Sequence, residues 1–150
     1  MRYQLESEHH LARERKPKIV PEKILVVDDS NDTREMMAKL LELESFAVVT
    51  AEDGRAGLNA AETERPDLII TDINMPNLNG IEMIKMLRKR PEFVSVPIMA
   101  ITAYGNLVAR EALEAGADHA TTKPIEFDLL IGGIRQLLAG RKNGAANGVL

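Results

Sequence analysis

The sequence predicts an α/β fold, with five parallel strands in one sheet and helices on both of its faces. Short apolar runs such as ILVV, LII and IMAI alternate with longer segments whose apolar residues recur at helical spacing. These runs are apolar almost without interruption, which is typical of strands buried on both faces of a parallel sheet. Regular alternation of strand and helix is the pattern from which such sheets are built, with right-handed crossovers.

Three strand–helix units make up the first half of the patterned block. KILVV predicts the first strand, and SNDTREMMAKLLELES predicts a helix with paired apolar residues at Met36–Met37 and Leu40–Leu41. FAVVTA predicts the second strand, followed by GRAGLNAAETER, a helix of small residues that ends at Pro66. DLIITD predicts the third strand, and GIEMIKMLRKR predicts a helix that stops at Pro91.

Two further units follow. VPIMAIT predicts the fourth strand, NLVAREALEAG its helix, and ADHATTK a short fifth strand. The last helix, IEFDLLIGGIRQLLA, has one apolar face formed by Phe127, Leu130, Ile131, Ile134 and Leu138. Its two adjacent glycines each weaken a helix interior by roughly 1 kcal/mol relative to alanine, so we expect this helix to be weakest in the middle.

The chain of 150 residues is long enough for about one domain. Residues 1–22 are polar, mixed in charge and end in two prolines, which predicts a flexible N-terminal arm. The patterned domain covers residues 23–139. Residues 140–150, GRKNGAANGVL, predict a flexible C-terminal tail.

Composition excludes several classes of function. The net charge of −4 argues against nucleic-acid binding as the main role. The chain has no cysteine, hence no disulfide or thiolate metal site, which fits a reducing compartment. It has no apolar run that resembles a signal peptide or reaches the roughly 20 residues of a membrane span. We therefore expect a cytoplasmic protein with neither a nucleic-acid nor a membrane partner.

Chemically reactive side chains follow the strands. In doubly wound sheets, ligands bind at the carboxyl ends of the strands, near the point where strand order reverses. The residues that follow the first, third, fourth and fifth strands are Asp28 and Asp29, Asp72, Thr102, and Lys123 with Pro124. If the strand order is 2-1-3-4-5, these residues surround one cleft. Glu52 and Asp53 then fall outside it, because the second strand lies at the outer edge.

The three carboxylates predict a metal site. Two like charges about 4 Å apart repel by roughly 4 kcal/mol at an effective dielectric constant near 20, and a third carboxylate adds to this. A divalent cation reverses the sign of the interaction, and carboxylate oxygens are ligands that Mg²⁺ or Mn²⁺ accepts. With an amine and a hydroxyl alongside, the cluster forms a receptor for phosphoryl oxygens. Within it, only a carboxylate is suited to accept a phosphoryl group covalently.

Four motifs, in this order and each at a strand end, resemble the receiver domain of two-component response regulators: LVVDDS, IITDINMPNLNG, IMAITAYG and TTKPI. The resemblance covers roughly residues 22–139 and is to the stand-alone, single-domain type. It implies a flavodoxin-like (βα)5 fold. It also implies phosphorelay signalling, in which a sensor histidine kinase or a histidine phosphotransfer protein gives a phosphoryl group from phosphohistidine to one aspartate.

The resemblance also implies roles for individual residues around the metal. Asp72 matches the aspartate that becomes phosphoaspartate. Asp29 matches a direct Mg²⁺ ligand, and Asp28 a ligand that acts through water. Asn74, two residues after Asp72, matches the residue whose backbone carbonyl binds the metal.

Further matches concern the response to phosphorylation. Thr102 matches the switch hydroxyl, Lys123 the amine that pairs with phosphoryl oxygens, and Pro124 a proline that commonly follows a cis peptide. The family usually has an aromatic residue three positions before the lysine, where this chain has Ala120. Alanine has no rotamer to change, which argues against the usual coupling of the switch hydroxyl to an aromatic ring. Tyr104, two residues after Thr102, is a candidate to gate water or to respond to phosphorylation instead.

Other functions remain open from the sequence. A Mg²⁺-dependent aspartyl phosphohydrolase of the haloacid dehalogenase type would carry an acid where Asn74 stands. We therefore expect no turnover of outside substrates, and we do not expect the protein to be an enzyme. A nucleotide or flavin site is disfavoured because the turn DDSND is acidic and lacks glycine. The chain could instead relay its phosphoryl group to a histidine phosphotransfer protein, or act unphosphorylated as a scaffold. We expect the phosphorylated protein to signal by contacting an unknown downstream protein through its surface near the fourth and fifth strand–helix units. A homodimer is compatible with this expectation.

Overall fold

The structure, a computed structural model, describes residues 20–146, and of residues 142–146 it describes only the main chain. Most of the predicted N-terminal arm and the last four residues of the predicted tail lie outside the described part of the chain. Among the helices of the described residues, none combines the length and the hydropathy that a membrane-spanning segment requires.

Five strands alternate with five helices in the described residues. The strands are β1 (Lys23–Val27), β2 (Ala47–Ala51), β3 (Leu68–Asp72), β4 (Ile98–Thr102) and β5 (His119–Thr122). The helices are α1 (Asn31–Leu43), α2 (Gly54–Glu64), α3 (Gly80–Arg88), α4 (Asn106–Ala115) and α5 (Phe127–Ala146). A single 3-10 turn, Pro91–Phe93, precedes β4.

The strands form one parallel sheet in the order β2-β1-β3-β4-β5, which confirms the predicted fold class and strand order. Val27 of β1 lies opposite Thr71 of β3. The residues that follow these two, Asp28 and Asp72, therefore leave neighbouring strands at the same level. Asp72 lies opposite Ile101, so the end of β4 is at this edge as well.

Both faces of the sheet are covered by apolar packing. Helices α2, α3 and α4 pack on one face of the sheet, together with Leu25 and Val27 of β1. Helices α1 and α5 pack on the other face, together with Ile24 and Val26. All four of these β1 side chains are buried. Burying such a side chain contributes roughly 1.5–3 kcal/mol. Alternate residues serve opposite cores, and this is why the strands are apolar without interruption.

Polar side chains fix where three of the helices begin. Ser30 accepts a hydrogen bond from the Thr33 amide at the start of α1, and Asp53 accepts one from the Ala56 amide at the start of α2. Asn79 caps α3 in the same way. Each cap satisfies an amide that has no partner within the helix and contributes about 1 kcal/mol. The caps at α1 and α3 also hold the polar residues before them next to the end of the sheet.

Helix α5 differs from the prediction in its length. It continues through Gly132 and Gly133 without a break and passes the predicted boundary at residue 139 to end at Ala146. The guanidinium of Arg141 donates a hydrogen bond of 2.9 Å to the main-chain oxygen of Asp67, just before β3, and so ties the added turns to the sheet. Composition alone does not show this contact. Residues 140–146 are therefore helical rather than part of a tail.

Candidate functional site

Three carboxylates meet at the carboxyl end of β1 and β3. One oxygen each from Asp28, Asp29 and Asp72 lies within 4.8 Å of the other two. Asp28 and Asp72 are buried, at 5% and 9% exposure, whereas Asp29 is exposed at the mouth. The predicted convergence follows from the register of the two strands. Oxygen ligands in such a group fit a hard divalent cation such as Mg²⁺.

Lys123 reaches the same group of carboxylates from the end of β5. Its Nζ lies 3.8 Å from Oδ2 of Asp28 and 3.8 Å from Oδ2 of Asp72. Its amide donates a 2.8 Å hydrogen bond to the main-chain oxygen of Thr102, which continues the pairing of β4 and β5. The peptide bond from Lys123 to Pro124 is cis, as the sequence resemblance implies. One ammonium group thus faces two of three carboxylates, and the cluster keeps an excess of negative charge.

The charge excess and the burial together raise the pKa of Asp72. Burial contributes most, and the neighbouring Asp28 carboxylate comes next. Lys123 and a hydrogen bond from the Ile73 amide oppose the rise in this pKa, and Asp29 adds to it more weakly. The Ile73 amide donates to Oδ1 of Asp72 at 2.7 Å. Burial and repulsion therefore make ionised Asp72 unfavourable. A bound cation would reduce this unfavourable energy, and so would conversion of the carboxylate to a neutral or esterified form.

Main-chain and side-chain hydrogen bonds hold Asp28 in place. Its Oδ1 accepts from the Ser30 amide at 2.8 Å, and the guanidinium of Arg34 donates to its main-chain oxygen at 2.7 Å. Asn74 follows Asp72 in the β3–α3 loop, and its side chain is exposed. Ser30 and Arg34 were not among the residues predicted from the sequence, although the helix-cap pattern marks Ser30.

Thr102 is buried, and its hydroxyl has a partner on its own loop. Its Oγ1 accepts a 3.0 Å hydrogen bond from the Tyr104 amide. The side chain of Tyr104 is 66% exposed. Ala120 lies in β5 and packs, half-buried, on the face of the sheet that α2, α3 and α4 cover. The hydroxyl and the tyrosine amide are thus directly linked, but the tyrosine ring is not packed against the core.

Asp53, which the sequence placed outside the cleft, connects to the loop that follows Asp72. Its Oδ2 accepts a 2.7 Å hydrogen bond from the side-chain amide of Asn77. The Ala56 amide, and after it the Asn77 side chain, lower the pKa of Asp53. The segment DG before a helix indicates a cap, but no feature of the sequence indicates the second bond to Asn77.

A groove of about 640 Å³ lies between β5 and α5, away from the acidic cluster. Met99, His119 and Leu129 are among its lining residues, and it is open because Gly132 and Gly133 place no side chains there. Its size reflects missing side chains rather than convergent charged groups. The acidic cluster, where charged groups from three strands meet, is therefore the better candidate for chemistry.

Comparison with known proteins agrees with this geometry. A family model described as the response regulator receiver domain matches residues 24–135. The chain is 37% identical over 120 residues to the response regulator MprA of Mycolicibacterium vanbaalenii, a match that covers 79% of this chain and 51% of that protein. It thus spans about half the length of this relative.

A shorter relative and a solved structure show the same relationship. An uncharacterized 14.6 kDa protein of Leptolyngbya boryana is 38% identical over 104 residues, which covers 69% of this chain and 79% of that protein. The crystal structure of the chemotaxis response regulator CheY4 of Vibrio cholerae matches with a TM-score of 0.73 and 32% identity, over 79% of this chain and 99% of that one. The described fold is therefore that of a receiver domain.

Proposed function

The chain belongs to the response regulator receiver domain family, and from this membership we propose that it is a phosphoacceptor in which Asp72 takes a phosphoryl group from a phosphohistidine. The donor would be a sensor histidine kinase or a histidine phosphotransfer protein. One observation carries the proposal: Asp72 lies beside two further carboxylates and within 3.8 Å of the Lys123 ammonium group, at the carboxyl end of the sheet.

The chemistry assigned to these side chains is a single displacement at phosphorus. A carboxylate oxygen of Asp72 forms a bond to phosphorus while the bond from phosphorus to the histidine nitrogen breaks. The electron pair of that bond stays on the imidazole, which takes up a proton. The product is an acyl phosphate, and Lys123, whose Nζ lies 3.8 Å from Oδ2 of Asp72, would pair with its oxygens.

The donor set fits Mg²⁺, or Mn²⁺, because it consists of hard oxygen ligands with an uncompensated negative charge. Asp28, Asp29 and Asp72 would hold the cation, with the main-chain carbonyl of Asn74 as a further ligand. When bound, the cation supplies charge neutralisation for the carboxylates and for the phosphoryl oxygens. Asp28, oriented by the Ser30 amide, would stay in place whether or not the cation is present.

We further propose that the response to phosphorylation passes through Tyr104 rather than through an aromatic residue at position 120. If the Thr102 hydroxyl turns toward the phosphoryl group, the hydrogen bond that it accepts from the Tyr104 amide must break. Gly105, the next residue, has a φ of 91° and open space around it, so the loop can adjust there. Ala120 cannot contribute a side-chain rotation.

Amide NMR tests the switch. Adding a phosphoryl mimic with Mg²⁺ should shift the amide resonance of Tyr104 strongly, because that proton loses its acceptor. The amide of Ser45, at the opposite edge of the sheet, serves as an internal reference and should not move. An unchanged Tyr104 amide at saturating mimic would contradict the switch but not the phosphorylation of Asp72.

Output is proposed to occur through contact with another protein, consistent with the net charge of −4. We expect no turnover of outside substrates, because Asn74 stands where a phosphohydrolase of this mechanism would need a second acid. A few kcal/mol of difference in affinity between the two states would suffice for such signalling.

Phosphorylation by a small-molecule donor tests the proposed function directly. Incubation with acetyl phosphate and Mg²⁺ should add one phosphoryl group to the wild-type protein, as measured by intact mass. Asp72→Asn should abolish the addition, because it removes the nucleophilic oxygen. Asp128→Asn, which alters an exposed carboxylate at the start of α5, is the matched control and should be modified like wild type.

Two results would overturn the proposal. Wild-type protein that remains unmodified at saturating donor would rule out the phosphoacceptor role. Asp72→Asn protein that is modified to the same extent as wild type would show that another residue is the acceptor.

A further inference from the structure

We infer that Asp53 and Asn77 form a latch that positions the β3–α3 loop for metal binding, and we call this pair the Asp53–Asn77 latch. The loop, residues 73–79, follows the phosphoacceptor and contains Asn74. The inference rests on the proposed function, because it concerns the metal ligand that Asn74 would supply. Asp53 and Asn77 act in it as positioning residues and do not touch the metal.

The Asp53 carboxylate uses its two oxygens in two directions. Oδ1 accepts from the Ala56 amide at 2.8 Å, which caps α2. Oδ2 accepts from the Asn77 side chain at 2.7 Å and so reaches a residue that is 24 positions away in sequence. The Asp53 residue is only 8% exposed, whereas Asn77 is exposed, so the two hydrogen bonds are partly buried. A single buried side chain thus joins the start of α2 to the loop after β3.

Main-chain contacts support the same connection. The Gly54 amide donates to the main-chain oxygen of Leu78 at 3.0 Å. A Cβ atom at Gly54 would lie 2.1 Å from that oxygen, so only glycine permits this approach. Asn77 itself has a φ of 69°, a left-handed conformation that asparagine tolerates better than most residues. The loop is therefore held at the residues next to the latch.

Asn74 lies between two fixed points. On one side, the Ile73 amide donates to the Asp72 carboxylate at 2.7 Å. On the other, the latch holds Asn77. Only residues 74–76 lie between these anchors, so the main-chain carbonyl of Asn74 has little freedom before a cation arrives. Pre-ordering a ligand in this way strengthens binding because less conformational entropy is lost on binding.

Two single variants remove the latch in different ways. Asn77→Gly removes the amide donor and keeps access to positive φ, and Asp53→Ser keeps a capping oxygen for α2 but is too short to reach Asn77. Each should weaken Mg²⁺ binding about three- to tenfold by isothermal titration, the factor expected for one lost hydrogen bond. The double variant should bind no more weakly than the weaker single variant, because both changes remove the same bond.

The control variant is Ser45→Gly. It removes a small polar side chain from another left-handed position, with a φ of 74°, at the end of the sheet opposite the acidic cluster. Its Mg²⁺ affinity should stay within twofold of wild type. It reports any general effect of placing glycine at such a position.

A second measurement needs no metal. In metal-free protein, amide hydrogen exchange of residues 73–79 should accelerate in both latch variants and stay unchanged in Ser45→Gly. Latch variants that match wild type in Mg²⁺ affinity and in exchange would overturn the latch while leaving the proposed function intact. Wild-type protein that binds no Mg²⁺ would overturn the proposed function and, with it, the role of the latch in metal binding.

Discussion

At the scale of single residues, Asp72 occupies an electrostatically unfavourable position. Its carboxylate is buried and lies close to those of Asp28 and Asp29, with Lys123 as a shared counter-ion. Burial and repulsion raise its pKa, so the ionised form is disfavoured relative to the unfolded chain. In the absence of a cation, ionised Asp72 therefore lowers the free energy of unfolding at neutral pH.

Neutralising Asp72 should consequently stabilise the metal-free protein. We expect Asp72→Asn to raise the free energy of unfolding in EDTA at pH 7 by on the order of 1 kcal/mol, as measured by urea denaturation. Saturating Mg²⁺ should shrink or reverse this difference, because wild type gains more binding free energy. Glu52→Gln, which neutralises an exposed carboxylate outside the cleft, is the control and should change stability little. A destabilised Asp72→Asn protein in EDTA would contradict this account.

Asp53 should show the opposite dependence on pH. Its pKa is lowered, so the folded protein holds the ionised form more strongly than the unfolded chain, whose pKa is about 3.9. The stability that this charge contributes is present above that value and is lost as pH falls toward the folded pKa. The difference in unfolding free energy between wild type and Asp53→Asn should thus be constant from pH 7 to pH 5 and should shrink below about pH 3.9. A difference that grows on acidification would contradict the assigned cause.

The sequence predicted some of these residues and not others, for a physical reason. Asp28, Asp29, Asp72 and Lys123 converge because parallel strands end at one edge, so the alternation of strands and helices, combined with the strand order 2-1-3-4-5, predicts their proximity. The bond from Asp53 to Asn77 depends on a left-handed turn inside a loop. Such a conformation is set by tertiary contacts, and no sequence pattern specifies it.

At the scale of elements, α5 shows tertiary packing overriding local propensity. Two adjacent glycines predict a weak helix, yet the helix is continuous from Phe127 to Ala146. Leu130, Ile134 and Leu138 are buried on one side of it, and this burial outweighs roughly 1 kcal/mol per glycine. The sequence therefore predicted the apolar face correctly and placed the end of the helix too early.

The same helix offers a stabilising substitution. A Cβ added at Gly132 meets no atom within 4 Å, so Gly132→Ala should gain helix propensity without strain. We expect an increase of about 0.5–1 kcal/mol in unfolding free energy, measured by urea denaturation. Gly116→Ala is the contrasting variant: Gly116 has a φ of 125°, and its Cβ would lie 2.7 Å from Cγ of Arg88. It should destabilise the protein, and equal effects of the two substitutions would contradict this reading.

At the scale of the whole molecule, the site exists only when the sheet is assembled. Its carboxylates come from β1 and β3, its amine follows β5, and residues 28 and 123 are far apart in the chain. The unfolded chain cannot bring these groups together, so a divalent cation should bind the folded state almost exclusively. Metal binding and folding are then linked by mass action.

Mg²⁺ should therefore raise the unfolding temperature of the whole domain. At a concentration ten times its dissociation constant, the linkage gives about 1.4 kcal/mol, which corresponds to an increase of about 3–6 °C in Tm for a chain of this size. Asp29→Asn should lose most of this increase, because it removes a proposed direct ligand. Asp32→Asn removes an exposed acid in the first turn of α1, outside the acidic cluster, and should keep the increase. If NaCl at matched ionic strength raises Tm as much as Mg²⁺, the stabilisation comes from charge screening, and the folded protein has no specific cation site of the proposed kind.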